Sequence, residues 1–178
     1  SRLSVYEPPK MRRHTVVAAG PKPRPTTTRS NGGSAAPDDR VVIVNGGFEE
    51  AAGNRTQPAA RWNQGQFGAP GGISYVRGDA TNPHAGERAI VVKAQTAGAH
   101  PGIFTAVGRL PRGRYRVSLW ACADVDATAQ IYARLGNEEA GPKKVGEDYQ
   151  HITFIIDIFE AQTSASLRLW TSSPRVRI

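Results

Sequence analysis

Cysteine is nearly absent from this chain of 178 residues: Cys122 stands alone. One thiol excludes an intramolecular disulfide and gives no sign of an oxidising compartment. Its setting, SLWACA, reads as a buried structural thiol rather than a nucleophile. A lone cysteine also cannot complete a zinc site, and the four histidines (His14, His84, His100 and His151) show no metal-ligand spacing. No apolar run is long enough to span a membrane as a helix. The opening SRLSVYEPPKMRRH lacks the apolar stretch of a signal peptide, and secretion is left open. Gly-x-Ser-x-Gly is missing, and GPKKVGE lacks the Gly-Lys-Ser/Thr of a phosphate loop. The carboxylate pairs Glu49–Glu50, Asp124/Asp126, Glu138–Glu139 and Glu147–Asp148 fall where neighbours point to opposite faces of a strand or into solvent. None reads as an acid/base couple. No catalytic residue is assigned, and the chain is not expected to be an enzyme.

What the sequence does have is glycine (19), proline (13) and an excess of positive charge (+8). The excess is concentrated at the front. Residues 1–40 carry eight Lys/Arg against three acids, with six of the prolines, whereas residues 41–178 carry fifteen against twelve. The chain therefore divides into a basic, Pro/Gly-rich arm over 1–40 and a body over 41–178. The stretch GPKPRPTTTRSNGGSAAPDD cannot bury enough apolar surface to offset its ordering entropy. It reads as a spacer, stiff at Pro21, Pro23 and Pro25 and loose at Gly32 and Gly33. Ahead of it, Leu3, Val5, Tyr6, Met11, Val16 and Val17 offer apolar contact, and Arg12, Arg13 and Arg24 suit acids on a partner. These nine residues are the expected partner-binding set, on the surface of other protein subunits. Nucleic acid is not the expected partner, because Tyr6 is the one aromatic among the arm's dispersed arginines.

From Val41 the pattern changes to short strands between turns. VVIV precedes Asn45, Gly46 and Gly47; ISYV, ERAIVVK, GIFTAV, RYRVSLWA, TAQIYARL, YQHITFIIDI and ASLRLW follow. Tyr115, Val117 and Leu119 face one way and Arg114, Arg116 and Ser118 the other, as do Leu167 and Leu169 against Ser166, Arg168 and Trp170. With no convincing helix between them, such strands predict an all-β antiparallel sandwich.

Several segments resemble the carbohydrate-binding modules of the galactose-binding-like jelly-roll superfamily. They are VNGGFEE, ARWNQG, PHAGERAIVVKA, GIFTAVGRLPRGRYRVSLWACAD, ATAQIYARL and YQHITFIIDIFEAQTSASLRLW. The matching positions are Asn45, Gly46, Phe48 and Glu49; His84 and Gly86; Leu110, Gly113, Tyr115 and Trp120. The resemblance spans about 41–178 and implies a jelly roll. It also implies a short last strand, since the chain stops at PRVRI without the family's closing Asp pair. A structural Ca2+, which the family often holds, would have only Glu49 here, and one carboxylate is a poor hard-cation site. No other cofactor is expected.

Sugar binding needs aromatic platforms flanked by polar groups. In RWNQGQFGAPGGISYVRGD the candidates are Trp62, Phe67 and Tyr75, with Asn63, Gln64, Gln66 and Arg77 as hydrogen-bond partners. The alternative for Trp62 is a place in the core, and Trp120 and Trp170 read as packing residues. Two functions follow. The main expectation is a non-enzymatic accessory subunit of a large assembly, similar in architecture to phage capsid decoration or cement proteins. It would be virion-located, assembled in the host cytoplasm, oligomeric and anchored by the arm. The alternative is a glycan-binding module of, or beside, a carbohydrate-active enzyme, in a secreted setting.

Overall fold

The computed structural model describes residues 13–17, 41–43, 46–52, 57–66, 74–77, 84, 87–94, 99–123, 129–172 and 175–178. Among these, every helix-or-strand element is a strand. In chain order they are β1 (Arg13–Val17), β2 (Val41–Val42), β3 (Asn63–Gln66), β4 (Ser74–Arg77), β5 (Val91–Ala94) and β6 (Pro101–Leu110). Then come β7 (Gly113–Ala123), β8 (Ala129–Leu135), β9 (Glu138–Val145), β10 (Gln150–Ile158), β11 (Gln162–Thr171) and β12 (Arg175–Arg177).

Strict alternation makes these strands two-faced. In β7 the residues Tyr115, Val117, Leu119 and Ala121 are buried while Arg114, Arg116 and Trp120 are exposed. β8 and β11 bury Ile131, Ala133, Leu167 and Leu169 and turn the intervening residues away. Each sheet thus has one apolar face, and the two faces can only be satisfied against each other. The strands form a five-stranded sheet, β3-β6-β11-β8-β9, and a seven-stranded sheet, β2-β1-β7-β12-β5-β4, with β10 also paired to β7. The core holds Trp62, Tyr115, Phe154, Ile103 and Leu167, all fully buried. The fold is a β-sandwich, as the alternation predicts, and a jelly roll, as the resemblance implies.

The expected arm does not stand wholly apart from this body. Arg13, Val16 and Val17 belong to β1, which runs parallel to β7 from Arg13↔Arg114 to Val17↔Ser118, and parallel to β2. β10 pairs antiparallel along the same stretch of β7, so β1 and β10 flank it on opposite edges. The physical reason lies in the run Thr15-Val16-Val17: β-branched residues suit a pleated strand, and an open edge of β7 offers unpaired backbone groups. These three partner-set residues are therefore strand positions of the domain's own sheet. The other six, Leu3, Val5, Tyr6, Met11, Arg12 and Arg24, lie outside the described residues. β9, too, departs from expectation, because EEAGPKKV is poor in strand formers. It is the edge of the five-stranded sheet, where Pro142 and the exposed Lys143 and Lys144 blunt further pairing.

Two local features fix the corners. The Tyr115 hydroxyl donates to the carbonyl of Pro111 at 2.6 Å, tying the turn after β6 to the buried start of β7. Tyr115→Phe is expected to lower stability by about 1 kcal/mol, read by urea unfolding, because the ring stays buried and only the hydrogen bond is lost. An unchanged midpoint would mean that the turn holds without it. On the outward face, Arg114 meets Asp157 through Nε at 2.7 Å and Nη2 at 2.9 Å. Hydrogen bonding to Arg114 holds the Asp157 carboxyl below its ordinary value.

Candidate functional site

The outer face of the five-stranded sheet collects the side chains that its apolar face excludes. Register puts them in two cross-strand rows. In one, Gly65 lies opposite Gly102, Gly102 opposite Trp170, and Trp170 opposite Tyr132. In the other, Asn63 lies opposite Phe104, Phe104 opposite Arg168, and Arg168 opposite Arg134. The rows are two residues apart along each strand, about 7 Å. Asn63, Phe104, Trp170, Tyr132, Arg168 and Arg134 are all half-buried, unlike the exposed Arg114, Arg116 and Trp120 of β7.

The Trp170 and Tyr132 rings are parallel within 7°, with centroids 5.4 Å apart. The phenol donates to Gln130 Oε1 at 3.1 Å, which orients it along β8. Tyr132 sits at a bulge between Ile131 and Ala133, where β9 contributes Gly141 at φ 128°. A Cβ on Gly141 would come within 3.3 Å of the Tyr132 ring, so glycine there lets β9 pass beside the aromatic pair. On the other flank the buried Gly102 lies directly opposite Trp170. Nearby polar groups are partly fixed: Gln57 donates to Asn63 Oδ1 at 3.1 Å, and Arg168 Nε to Ser166 Oγ at 3.3 Å. Arg134 Nε is buried and has no hydrogen-bond partner.

A second aromatic group lies on the outer face of the seven-stranded sheet. The His84 ring stacks on Trp120 at 3.9 Å and 13°, with Tyr149 edge-on to His84 and His151 tilted against Trp120. Trp120 is 36% exposed, and Ile155 and Phe159 on or beside β10 are more so, at 51% and 56%.

Of the sequence-predicted glycan set, Trp62 departs from the expected platform role. Trp62 is completely buried, its ring edge-on to Phe48 at 5.2 Å, so it cannot serve as a platform and takes its alternative place in the core. The cause is local: Phe48 (φ 60°) and Arg61 (φ 68°) adopt left-handed backbone, and Thr105 Oγ1 donates to the Arg61 carbonyl at 2.8 Å, which turns the indole inward. Asn63 does lie on the outer face, whereas strand alternation sends Gln66 to the opposite side. Tyr75 and Arg77 take register positions against Lys93 and Val91 in the other sheet. Phe67 lies outside the described residues. Glu49 is exposed and accepts the Glu87 backbone N–H at 3.2 Å. Among the described residues no three His, Cys, Asp or Glu side chains gather. Trp170, Tyr132, Phe104 and Arg134, which share this outer face, are not in the sequence-predicted set. The signal was the alternation of ASLRLW and TAQIYARL, which sets Trp170, Arg168, Tyr132 and Arg134 against the core-facing Leu and Ile.

No protein-family model matches the sequence, and no curated protein does. Solved structures are similar in fold. A structure described as "CBM4 structure and function" superposes with a TM-score of 0.50 at 14% identity, over 76% of this chain and 94% of that one. TmCBM61 in complex with beta-1,4-galactotriose gives 0.48 at 14% identity, over 68% and 86%. The enzymatically active domain of bacteriophage CBA120 tailspike protein 4 gives 0.46 at 12% identity; the match covers 76% of this chain and 21% of that one. At these identities the likeness is one of fold.

Proposed function

We propose that this protein is a non-enzymatic glycan-binding module whose saccharide lies across the outer face of the five-stranded sheet. One observation carries the reading: the parallel Trp170–Tyr132 pair, with Gly102 across from the indole and the polar Gln130 at the phenol. A pyranose presents flat patches of C–H that pack on an aromatic face, while its hydroxyls need amide and phenol groups at the rim. The half-buried setting of these side chains supports the same view, because a partly walled face removes more of a ligand from water.

Retention of the full chain on an array of polysaccharides tests it. Binding to at least one glycan is expected, with loss in a variant of the sheet face. No retention on any of them would sink the proposal.

A second reading keeps the accessory-subunit expectation, with a virion decoration or cement role as its specific form. Exposed Ile155 and Phe159 support a protein neighbour on the opposite face of the sandwich. The two readings use different faces and are compatible.

A further inference from the structure

We infer that the saccharide taken by the five-stranded face is anionic, bearing a carboxylate or sulfate that Arg134 and Arg168 recognise. The inference rests on the glycan-binding reading and names the ligand class of that same face. Its first ground is placement. Arg168 and Arg134 stand directly opposite each other on neighbouring strands, and like charges so placed repel. Both are half-buried, so water screens them less than it would on an open surface.

The second ground is an unmet donor. Arg134 Nε is buried without a partner, a desolvation cost that leaves this guanidinium under-satisfied in the unliganded protein. Glu139, the carboxylate in register with Arg134, is solvent-exposed and leaves that donor unsatisfied. An anion over the two guanidinium groups removes the repulsion and supplies acceptors in the planar geometry that arginine favours.

The third ground is spacing. Arg168 is two residues from Trp170 on one strand face, and Arg134 two from Tyr132. A sugar ring seated on the aromatic row therefore holds a ring substituent toward the guanidinium row about 7 Å away. The net charge of +8 adds a long-range field that draws polyanions to the protein, without itself choosing the face.

The test is affinity electrophoresis of the full chain at physiological salt against polygalacturonate, dextran sulfate, neutral β-1,4-galactan and a single-stranded oligothymidylate. At least one anionic polysaccharide should bind about ten-fold or more tightly than the galactan, and whichever does so identifies carboxylate or sulfate as the group. Arg134→Gln should lower that affinity by about ten-fold or more, because it removes charge-assisted hydrogen bonds. Arg134→Lys should recover it only in part, since charge returns without the planar fork. Arg112→Gln, a loss of equal charge on an exposed turn, should leave it unchanged. The thermal midpoint of unliganded Arg134→Gln should equal or exceed that of the native chain; a lowered midpoint would assign Arg134 a structural role and overturn the inference. Arg168→Gln, which leaves Arg134 in place, is the second variant and should lower the affinity likewise. Equal or tighter binding of neutral galactan, or anionic binding indifferent to both arginines, overturns the anionic class and leaves glycan binding standing. Absence of binding to every polysaccharide overturns both. Oligothymidylate displacing the bound polysaccharide overturns the inference in favour of nucleic acid.

Discussion

A Trp62→Ala variant is expected to lose roughly 3–5 kcal/mol of stability, the range for truncating a buried aromatic. The indole is entirely buried, packs on Phe48, and its backbone N–H donates to the Ala59 carbonyl at 3.0 Å. Its removal leaves a cavity beside two left-handed residues, Phe48 and Arg61, whose backbone strain of about 1–3 kcal/mol each is held by that packing. Against a total of about 5–15 kcal/mol for a domain, such a loss puts folding itself at risk. Thermal unfolding should show the midpoint falling by about 10 °C or more. A midpoint like that of the native chain would show that Trp62 is not a core residue.

Trp170→Ala is expected to do the reverse. The side chain is half-buried on an outward face, so its removal should perturb stability less than the loss of Trp62. Glycan affinity, by contrast, should fall about 30-fold or more, since truncation of an anchoring aromatic commonly costs at least about 2 kcal/mol of binding. Tyr132→Ala should weaken binding by a smaller factor, because the smaller ring offers less contact and its hydroxyl is already engaged with Gln130. Calorimetry with the best-retained polysaccharide, alongside unfolding curves for each variant, separates the two effects. Full affinity in a folded Trp170→Ala protein would remove this face from the binding site.

The sandwich was legible because alternation is a local property. Tyr115, Val117 and Leu119 against Arg114 and Arg116, or Leu167 and Leu169 against Arg168 and Trp170, need no knowledge of the partner strand. The site was legible only by halves, for the same reason. Sequence placed Trp170 and Arg168 opposite the leucines of β11, and TAQIYARL carries the same pattern for Tyr132 and Arg134. That the two pairs meet depends on β11 lying between β6 and β8, a non-local choice. Trp62 misled in the other direction. Its Gly- and Gln-rich surroundings suggest a loop platform, yet left-handed backbone at Phe48 and Arg61 drives it inward, and composition does not encode that turn. β1 escaped because its five residues sit in a basic arm, far in sequence from the β7 edge they pair with.

That distance shapes how the domain assembles. β7 and β10 are separated mainly by β8 and β9 and can meet once that part of the chain exists, whereas β1 must close a loop from Arg13 to Arg114. Loop-closure entropy grows with the logarithm of the span, and folds dominated by such distant pairings form in about milliseconds to seconds. The β7–β10 pair is thus the natural early partner, and β1 the late one. Of the two strands that flank β7, β1, with five residues of parallel pairing, is expected to release before β10. Amide protons of β1 should exchange ahead of those along β10, so β7 loses its β1 edge first while the five-stranded face stays intact.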